Sequence, residues 1–292
     1  MKLRALIDES AARLTQAGVS FGHGTSNALD EAAWLVLWRL HLPLDTALDG
    51  PSDIHVDTEH IALCRALIGE RIASRKPAAY LTHEAWLQGV AFYVDERVIV
   101  PRSLIAELLV DGGFDYWLHE GTHAVLDLCT GNGSLAIIAA QQFPDIVVDA
   151  VDISSEALSV AAINVERHTL QDRIRLMVGD GLNGLTSAYD LIICNPPYVS
   201  AHSMGALPPE YRAEPALALD GNTSGAEDGM DFVRPLLAGL SRHLNPGGVL
   251  VLEIGNERAF FEAAFPSLDV VWLPTSAGED QVLLIAREAL TA

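Results

Sequence analysis

The chain has 292 residues, half of them apolar, enough for one large domain or a large domain with a smaller one attached. No apolar run approaches the roughly 18 residues that span a bilayer, and Met1-Lys2-Leu3-Arg4 leads into Asp8 and Glu9 rather than an apolar secretory core, so a cytoplasmic protein is expected. A formal net charge of −21 repels nucleic-acid phosphates, and the densest basic cluster, Arg71 to Lys76, is too short to offset it; the charge suits a basic partner, or serves solubility alone.

Residues 1–85 read as helices joined by turns. Leu3, Ile7, Ala11 and Leu14 stand at helical spacing. Asn27 caps a second helix through Trp34, Leu35, Leu37 and Trp38 to Leu40, closed before Pro43. Thr58 caps a third through Ile61, Leu63, Leu67, Ile68 and Ile72, ending before Pro77. The polar stretch between them carries a Gly50-Pro51 turn.

Residues 86–121 form a connecting stretch: Phe92, Val94, Val98 and Val100 suggest a short hairpin, and Pro101 starts a helix through Leu104, Ile105, Leu108 and Leu109. Over residues 122–292 strands and helices alternate. Strands are expected at 124–129, 146–151, 174–178, 189–194 and 249–254, helices at 134–142, 154–168 and 229–243, and a long loop over 199–228. The last two strands, 269–273 and 281–286, lack a clear helix between them and read as an antiparallel edge. The fold class is α/β, a parallel doubly wound sheet, with a small helical domain before it. Cys64, Cys129 and Cys194 are far apart, with neither disulfide nor metal-ligand spacing, and no metal is expected. His23 and His83 lack a nearby partner set for a metal and read as structural or exposed.

Asp127-Leu128-Cys129-Thr130-Gly131-Asn132-Gly133 ends the first strand of this sheet and opens a helix. Gly131 and Gly133 allow close backbone approach to a ligand, although a Gly-x-Gly by itself also makes an ordinary tight turn. Asp152, with Ile153 after it, ends the second strand, where a carboxylate suits a ribose diol; Asp180, beside Gly181, ends the third, where one can accept from an adenine amino group. No phosphate loop is present. The set favours an adenosyl ligand without a pyrophosphate.

Asn195-Pro196-Pro197-Tyr198 follows the fourth strand at the same sheet edge. The prolines stiffen the backbone and remove donors, leaving the Asn195 side-chain oxygen and the Pro196 carbonyl as acceptors, with Tyr198 adding an aromatic face. Two acceptors suit a planar NH₂ group, whether on a base or on a glutamine.

These residues resemble the class I S-adenosylmethionine-dependent methyltransferases that carry the Asn-Pro-Pro-Tyr signature. That signature is shared by DNA adenine-amino methyltransferases and by the protein glutamine-amide methyltransferases of the HemK/PrmC/PrmB family. The latter join it to an N-terminal helical domain, and the resemblance to them covers nearly the whole chain. Pro101-Arg102-Ser103-Leu104-Ile105-Ala106-Glu107, Phe92–Val98, Ala79-Tyr80-Leu81-Thr82 and Phe21–Thr25 look more like the branch that methylates a large-subunit ribosomal protein, the L-three protein, than the release-factor branch. Leu104 stands where that branch has a proline, and Asn132 and Ser134 vary the glycine turn.

The resemblance implies a Rossmann-like, mostly parallel seven-stranded sheet and S-adenosylmethionine as cofactor, with S-adenosylhomocysteine as product. It places Cys129 to Gly133 at the methionine part, Asp152 at the ribose, Asp180 and Gly181 at the adenine, and Asn195 to Tyr198 at the glutamine amide. Arg102 and Glu107 are weaker substrate-binding candidates, equally explained by a salt bridge at a helix start. Glu210, Arg212 and Glu214 lie on the long loop, which would clamp a substrate peptide or stand solvated. The implied partner is a basic ribosomal protein, with no stable nucleic-acid binding. The alternatives are release-factor methylation, a nucleic-acid amino-methyltransferase, which would want a basic groove, and a non-catalytic ribosome assembly factor.

Overall fold

The computed structural model describes residues 1–48, 54–118 and 121–290. The Gly50-Pro51 turn signal lies outside them. The chain divides into two compact units, Met1–Ala85 with Leu207–Ala213, and Trp86–Ala206 with Glu214–Ala292. Among the described residues no helix is long and apolar enough to cross a membrane.

The first unit is helical: α1 Leu3–Gln16, α2 Ala28–Arg39, α3 Thr58–Ser74 and α4 Ala78–Thr82. Leu3, Leu6, Ile7, Ser10 and Leu14 form the buried stripe of α1, so the third turn buries Ser10 rather than Ala11. Ser10 is accommodated because its hydroxyl donates to the Leu6 carbonyl at 2.7 Å. Asn27 caps α2 as expected, its side chain accepting from Asp30 N at 3.0 Å. The cap of α3 is Asp57, not Thr58: the Asp57 carboxylate accepts from His60 N at 2.9 Å, and Thr58 is already helical.

Next along the chain comes a two-stranded sheet, β1 Ala85–Leu87 and β2 Val90–Phe92. The expected extension of this hairpin through Val100 does not form. Val94, Val98 and Val100 are buried, but in irregular chain that precedes α5 Ile105–Asp111. There follow β3 Ala124–Leu128, α6 Ser134–Gln142, β4 Val147–Asp152, α7 Ser155–Arg167, β5 Ile174–Val178 and β6 Tyr189–Cys194. The expected long loop contains two short helices, α8 Ala201–Ala206 and α9 Pro209–Arg212, and a 3₁₀ turn, Ala216–Ala218. Then come α10 Val233–Leu240, β7 Leu244–Glu253, α11 Arg258–Ala264, β8 Val271–Thr275 and β9 Gly278–Ala286.

Helix α10 is shorter than the 229–243 span expected, and β7 starts before the Pro246-Gly247-Gly248 signal. That triplet is a register irregularity within the strand, between the Tyr189–Leu244 and Leu191–Val249 pairs. The seven-stranded sheet has the order β5-β4-β3-β6-β7-β9-β8. Its first five strands are parallel, and β9 runs antiparallel to both neighbours.

Alternation along the strands sorts the core into two layers. Val125, Val148, Leu191 and Val251 pack with residues of α5 and α6 on one face. Leu126, Leu128, Ile192 and Leu252 pack with residues of α10 and α11 on the other. Residues 86–121, read as a connecting stretch, fall in the second unit because Ile105, Ala106, Leu108 and Leu109 belong to the first of these layers.

Candidate active site

In the sheet the chain steps from β3 outward to β4 and β5, then returns to lay β6 on the other side of β3. Where strand order reverses, the loops leaving the two central strands part and open a crevice at their carboxyl ends. The register Leu128–Cys194 brings the turn starting at Cys129 and the turn starting at Asn195 level with each other. A cavity of about 720 Å³ lies there.

Of the residues proposed from sequence for a nucleoside ligand, Cys129, Gly131, Asp152, Ile153, Asp180 and Gly181 line this cavity. Asp127, Thr130, Asn132 and Gly133 stand behind it. Thr130 Oγ1 and Ala136 N donate to Asp127 Oδ2 at 2.6 and 3.1 Å. Gly133 has φ +81°, and a Cβ there would approach Ala161 Cβ at 3.3 Å, so glycine lets α6 start close to α7. Asp152 is oriented by two backbone donors, Gly131 N at 2.9 Å and Ser154 N at 2.8 Å. Each of its oxygens keeps a lone pair for a ligand.

Burial pushes the fully enclosed Asp127 carboxyl up to about 7, against the lowering effect of its Thr130 and Ala136 donors. Contact with Cys194 and burial hold the Cys129 thiol well above the ordinary range, so it lines the cavity as a neutral group. Asp127 Oδ1 and Asn132 Nδ2 are buried without a hydrogen-bond partner. An orphaned acceptor and an orphaned donor in one turn fit a ligand that brings both an ammonium and a carboxylate, as an amino acid does. The rest of the lining agrees: Glu96, Asp152, Glu156, Asp180, Asp220 and Asp231 face a single cation, Arg97. Arg97 is itself held by Asp95, whose carboxyl its guanidinium keeps down at about 2. Such a surface favours a cationic ligand.

Asn195 and Pro197 line the same cavity, and Pro196 is buried beneath them. Tyr198 is not part of the lining. Its ring lies against Gly255 and its hydroxyl points to Glu253 Oε1 at 3.4 Å. Burial, reinforced by the negative charge of Glu253, pushes its phenol pKa upward, so it stays a proton donor. Beyond Tyr198 the chain is clamped. Val199 N donates to Leu219 O at 2.9 Å, and Asn222 Nδ2 donates to Val199 O at 2.9 Å.

Arg102 and Glu107 have partners within the second unit. Arg102 makes a two-pronged pair with Glu214 at 2.7 Å for each prong, and Glu107 accepts from Ser276 N and Oγ. Of the loop residues offered as a peptide clamp, Glu214 is thus taken by Arg102 and by Val100 N. In the first unit, Glu210 is taken by Arg71 and Arg75, and Arg212 is exposed. Sequence reasoning missed the lining from Glu96–Ile99 and from Pro215–Ala218. The second had a signal: a short apolar run inside a polar loop, whose Leu217 is 53% exposed over the cavity. Among the described residues no group of three His, Cys, Asp or Glu is placed to hold a metal ion.

The family described as "Methyltransferase small domain" matches residues 114–207. A "Ribosomal protein uL3 glutamine methyltransferase" of Bordetella pertussis is 55% identical over 99% of this chain and 96% of its own length. The protein of the same name from Burkholderia pseudomallei is 51% identical, again over 99% and 96%. Among solved structures, the hMettl16 catalytic domain in complex with MAT2A 3'UTR hairpin 6 superposes with a TM-score of 0.52 at 14% identity, covering 79% of this chain and 81% of that one. At that identity the likeness concerns the fold alone.

Proposed function

The chain belongs to the family of ribosomal protein uL3 glutamine methyltransferases, and from that premise we propose that it moves a methyl group from S-adenosylmethionine to the side-chain amide nitrogen of a glutamine in uL3. The observation that carries the reading is the shared cavity: Asn195 and Pro197 line it together with Gly131, Asp152, Asp180 and Gly181.

When bound, S-adenosylmethionine supplies an electrophilic methyl on a sulfonium and leaves as S-adenosylhomocysteine. The chain's residues do the rest. Cys129 to Gly133 would hold the methionine part, with Asp127 Oδ1 and Asn132 Nδ2 meeting its charged ends directly or through water. Asp152 would take the ribose, and Asp180 with Gly181 the adenine. The Asn195 side-chain oxygen and the Pro196 carbonyl would accept the two hydrogens of the glutamine NH₂.

A free amide nitrogen is a poor nucleophile because its lone pair is delocalised into the carbonyl. Two fixed acceptors orient it and favour the localised form as the N–C bond forms and the C–S bond breaks. The same oxygens stabilise the positive charge that develops on nitrogen. The N-methylated cation so formed is far more acidic than the free amide, and loss of one of its N–H protons to water leaves the neutral N-methyl amide. The helical unit is assigned the choice of substrate, and three free cysteines fit a cytoplasmic site of action.

The test is direct. The protein is incubated with methyl-labelled S-adenosylmethionine and, separately, ribosomal proteins and release factors, and the label is located by mass spectrometry. Methyl on a uL3 glutamine is the expected result; methyl on a release-factor glutamine alone overturns the substrate.

A further inference from the structure

The acceptor turn rests on the stretch that ends β7 and leads to α11, Glu253-Ile254-Gly255-Asn256-Glu257. Three of these residues meet the turn or the chain just after it. Glu253 is 4% exposed; its Oε1 faces the Tyr198 hydroxyl at 3.4 Å, while Oε2 accepts from Ser103 Oγ at 2.5 Å and from Leu104 N at 2.9 Å. Gly255 has φ +52°, and a Cβ there would stand 2.6 Å from Tyr198 Cε2 and 3.0 Å from Cζ. Glycine is therefore what lets the ring lie down on this stretch. Glu257, 7% exposed, accepts from Ser200 N at 3.2 Å and Ser203 Oγ at 3.0 Å.

Burying a carboxylate costs free energy unless its partners repay it, and burial does push the Glu253 pKa upward. Glu253 is not among the residues that line the cavity. Its two oxygens divide their work: Oε2 ties down the start of α5 through Ser103 and Leu104, and Oε1 holds Tyr198. The hydroxyl of the turn's tyrosine thus points to this carboxylate. At 3.4 Å the contact is long for O–H···O.

We propose that Glu253 is a positioning residue: by holding the Tyr198 hydroxyl it keeps the aromatic strut seated on Gly255, and through it sets the Asn195 and Pro196 acceptors at the angle the amide nitrogen needs. The proposal rests on the amide-methylating reading above. Its competitor is a purely structural Glu253 that serves only the start of α5.

Four variants separate the two: Tyr198→Phe, Glu253→Gln, their double, and Ser103→Ala. Tyr198→Phe and Glu253→Gln are each expected to lower kcat about tenfold with little change in KM for S-adenosylmethionine. The double variant should fall no further than the worse single, because both break one contact. Ser103→Ala should keep near wild-type kcat. Losses that multiply in the double variant, or an equal loss in Ser103→Ala, overturn the proposal. If Glu253→Gln does not fold, Tyr198→Phe decides: wild-type kcat overturns the proposal and an about tenfold loss supports it.

A second readout needs no substrate. With isotopically labelled tyrosine, the two sides of the Tyr198 ring should give separate NMR signals in the wild type and in Ser103→Ala, and averaged signals in Glu253→Gln. Unchanged ring signals in Glu253→Gln overturn the strut. Absence of methyl transfer to uL3 by the wild type overturns the function reading instead, and the ring signals still decide the strut.

Discussion

At the scale of single residues, the proposed reaction rests on the Asn195 and Pro196 acceptors, and an enclosed acid, Asp127, stands behind the same cavity. Asn195 carries the one side-chain amide of the turn and lines the cavity. Asn195→Ala should therefore lower kcat by about 10²–10³ while leaving S-adenosylmethionine affinity largely intact, as for a lost oxyanion-hole donor; single-turnover kinetics beside calorimetric binding checks the split. Asp127 behaves differently. Burial pushes its carboxyl up to about 7 in the folded protein, above the ordinary carboxylate value of 3.8. The protonated acid is thus favoured by folding, so its contribution to stability is fully present below the ordinary carboxylate pKa and is lost as pH rises through about 7. Thermal melting of the ligand-free protein should lose stability across that window, and Asp127→Asn should flatten the profile. If the ligand's ammonium meets Asp127, binding near about pH 6.5 releases a proton. Calorimetry in two buffers of different ionisation heat reads that proton, and Asp127→Asn should abolish it. Asp127, Asp152 and Asn195 were all legible in the sequence, since each follows or ends a strand in a pattern with its own chemical sense. The contact of Tyr198 with Glu253 was not, because only the folded chain brings that carboxylate to its hydroxyl.

At the scale of elements, local signals carried the regular pieces. Helix α6 and strands β5 and β6 begin and end where apolar pattern and turn residues place them. Boundaries failed where two capping residues adjoin, as at Asp57 and Thr58, since either side chain can accept from the first turn. The segment after Tyr198 failed for another reason. Helices of six and four residues and a 3₁₀ turn are too short to show periodicity, and such pieces persist only when distant contacts hold them. In the first unit those contacts are ionic: Arg71 is fully buried and meets Glu31 at 2.9 Å and Glu210 at 3.5 Å, and Glu210 also meets Arg75 at 2.8 Å. Burial raises the Glu31 pKa despite its arginine partner, a sign that the carboxylate depends on Arg71 to stay charged. Arg71→Ala should cost the first unit about 3–5 kcal/mol, because it leaves the Glu31 carboxylate enclosed without its cation and Glu210 with Arg75 alone. Denaturant unfolding checks this, and replacing Arg71, Glu31 and Glu210 together by apolar residues of similar volume should recover much of the loss.

At the scale of the whole molecule, the acidic excess falls mainly on the second unit, while the helical unit is nearly balanced. A basic protein is then drawn first toward the unit that carries the cavity. Raising salt from about 50 to about 500 mM should raise KM for uL3 several-fold and leave kcat nearly unchanged, because screening weakens encounter more than short-range contact; steady-state kinetics with uL3 varied at saturating cofactor measures it. The sequence by itself determined the alternation of strand and helix, the three polar strand ends and the acceptor turn, because each depends on residues close in the chain. The tertiary structure alone decided what lies between distant segments: the level pairing of Leu128 with Cys194 that joins two turns into one cavity, the return of 207–213 to the helical unit, and the buried carboxylate under Tyr198. Those contacts join positions many residues apart, and no local preference encodes them; they are chosen by packing, when each buried polar atom must find a partner somewhere in the folded chain.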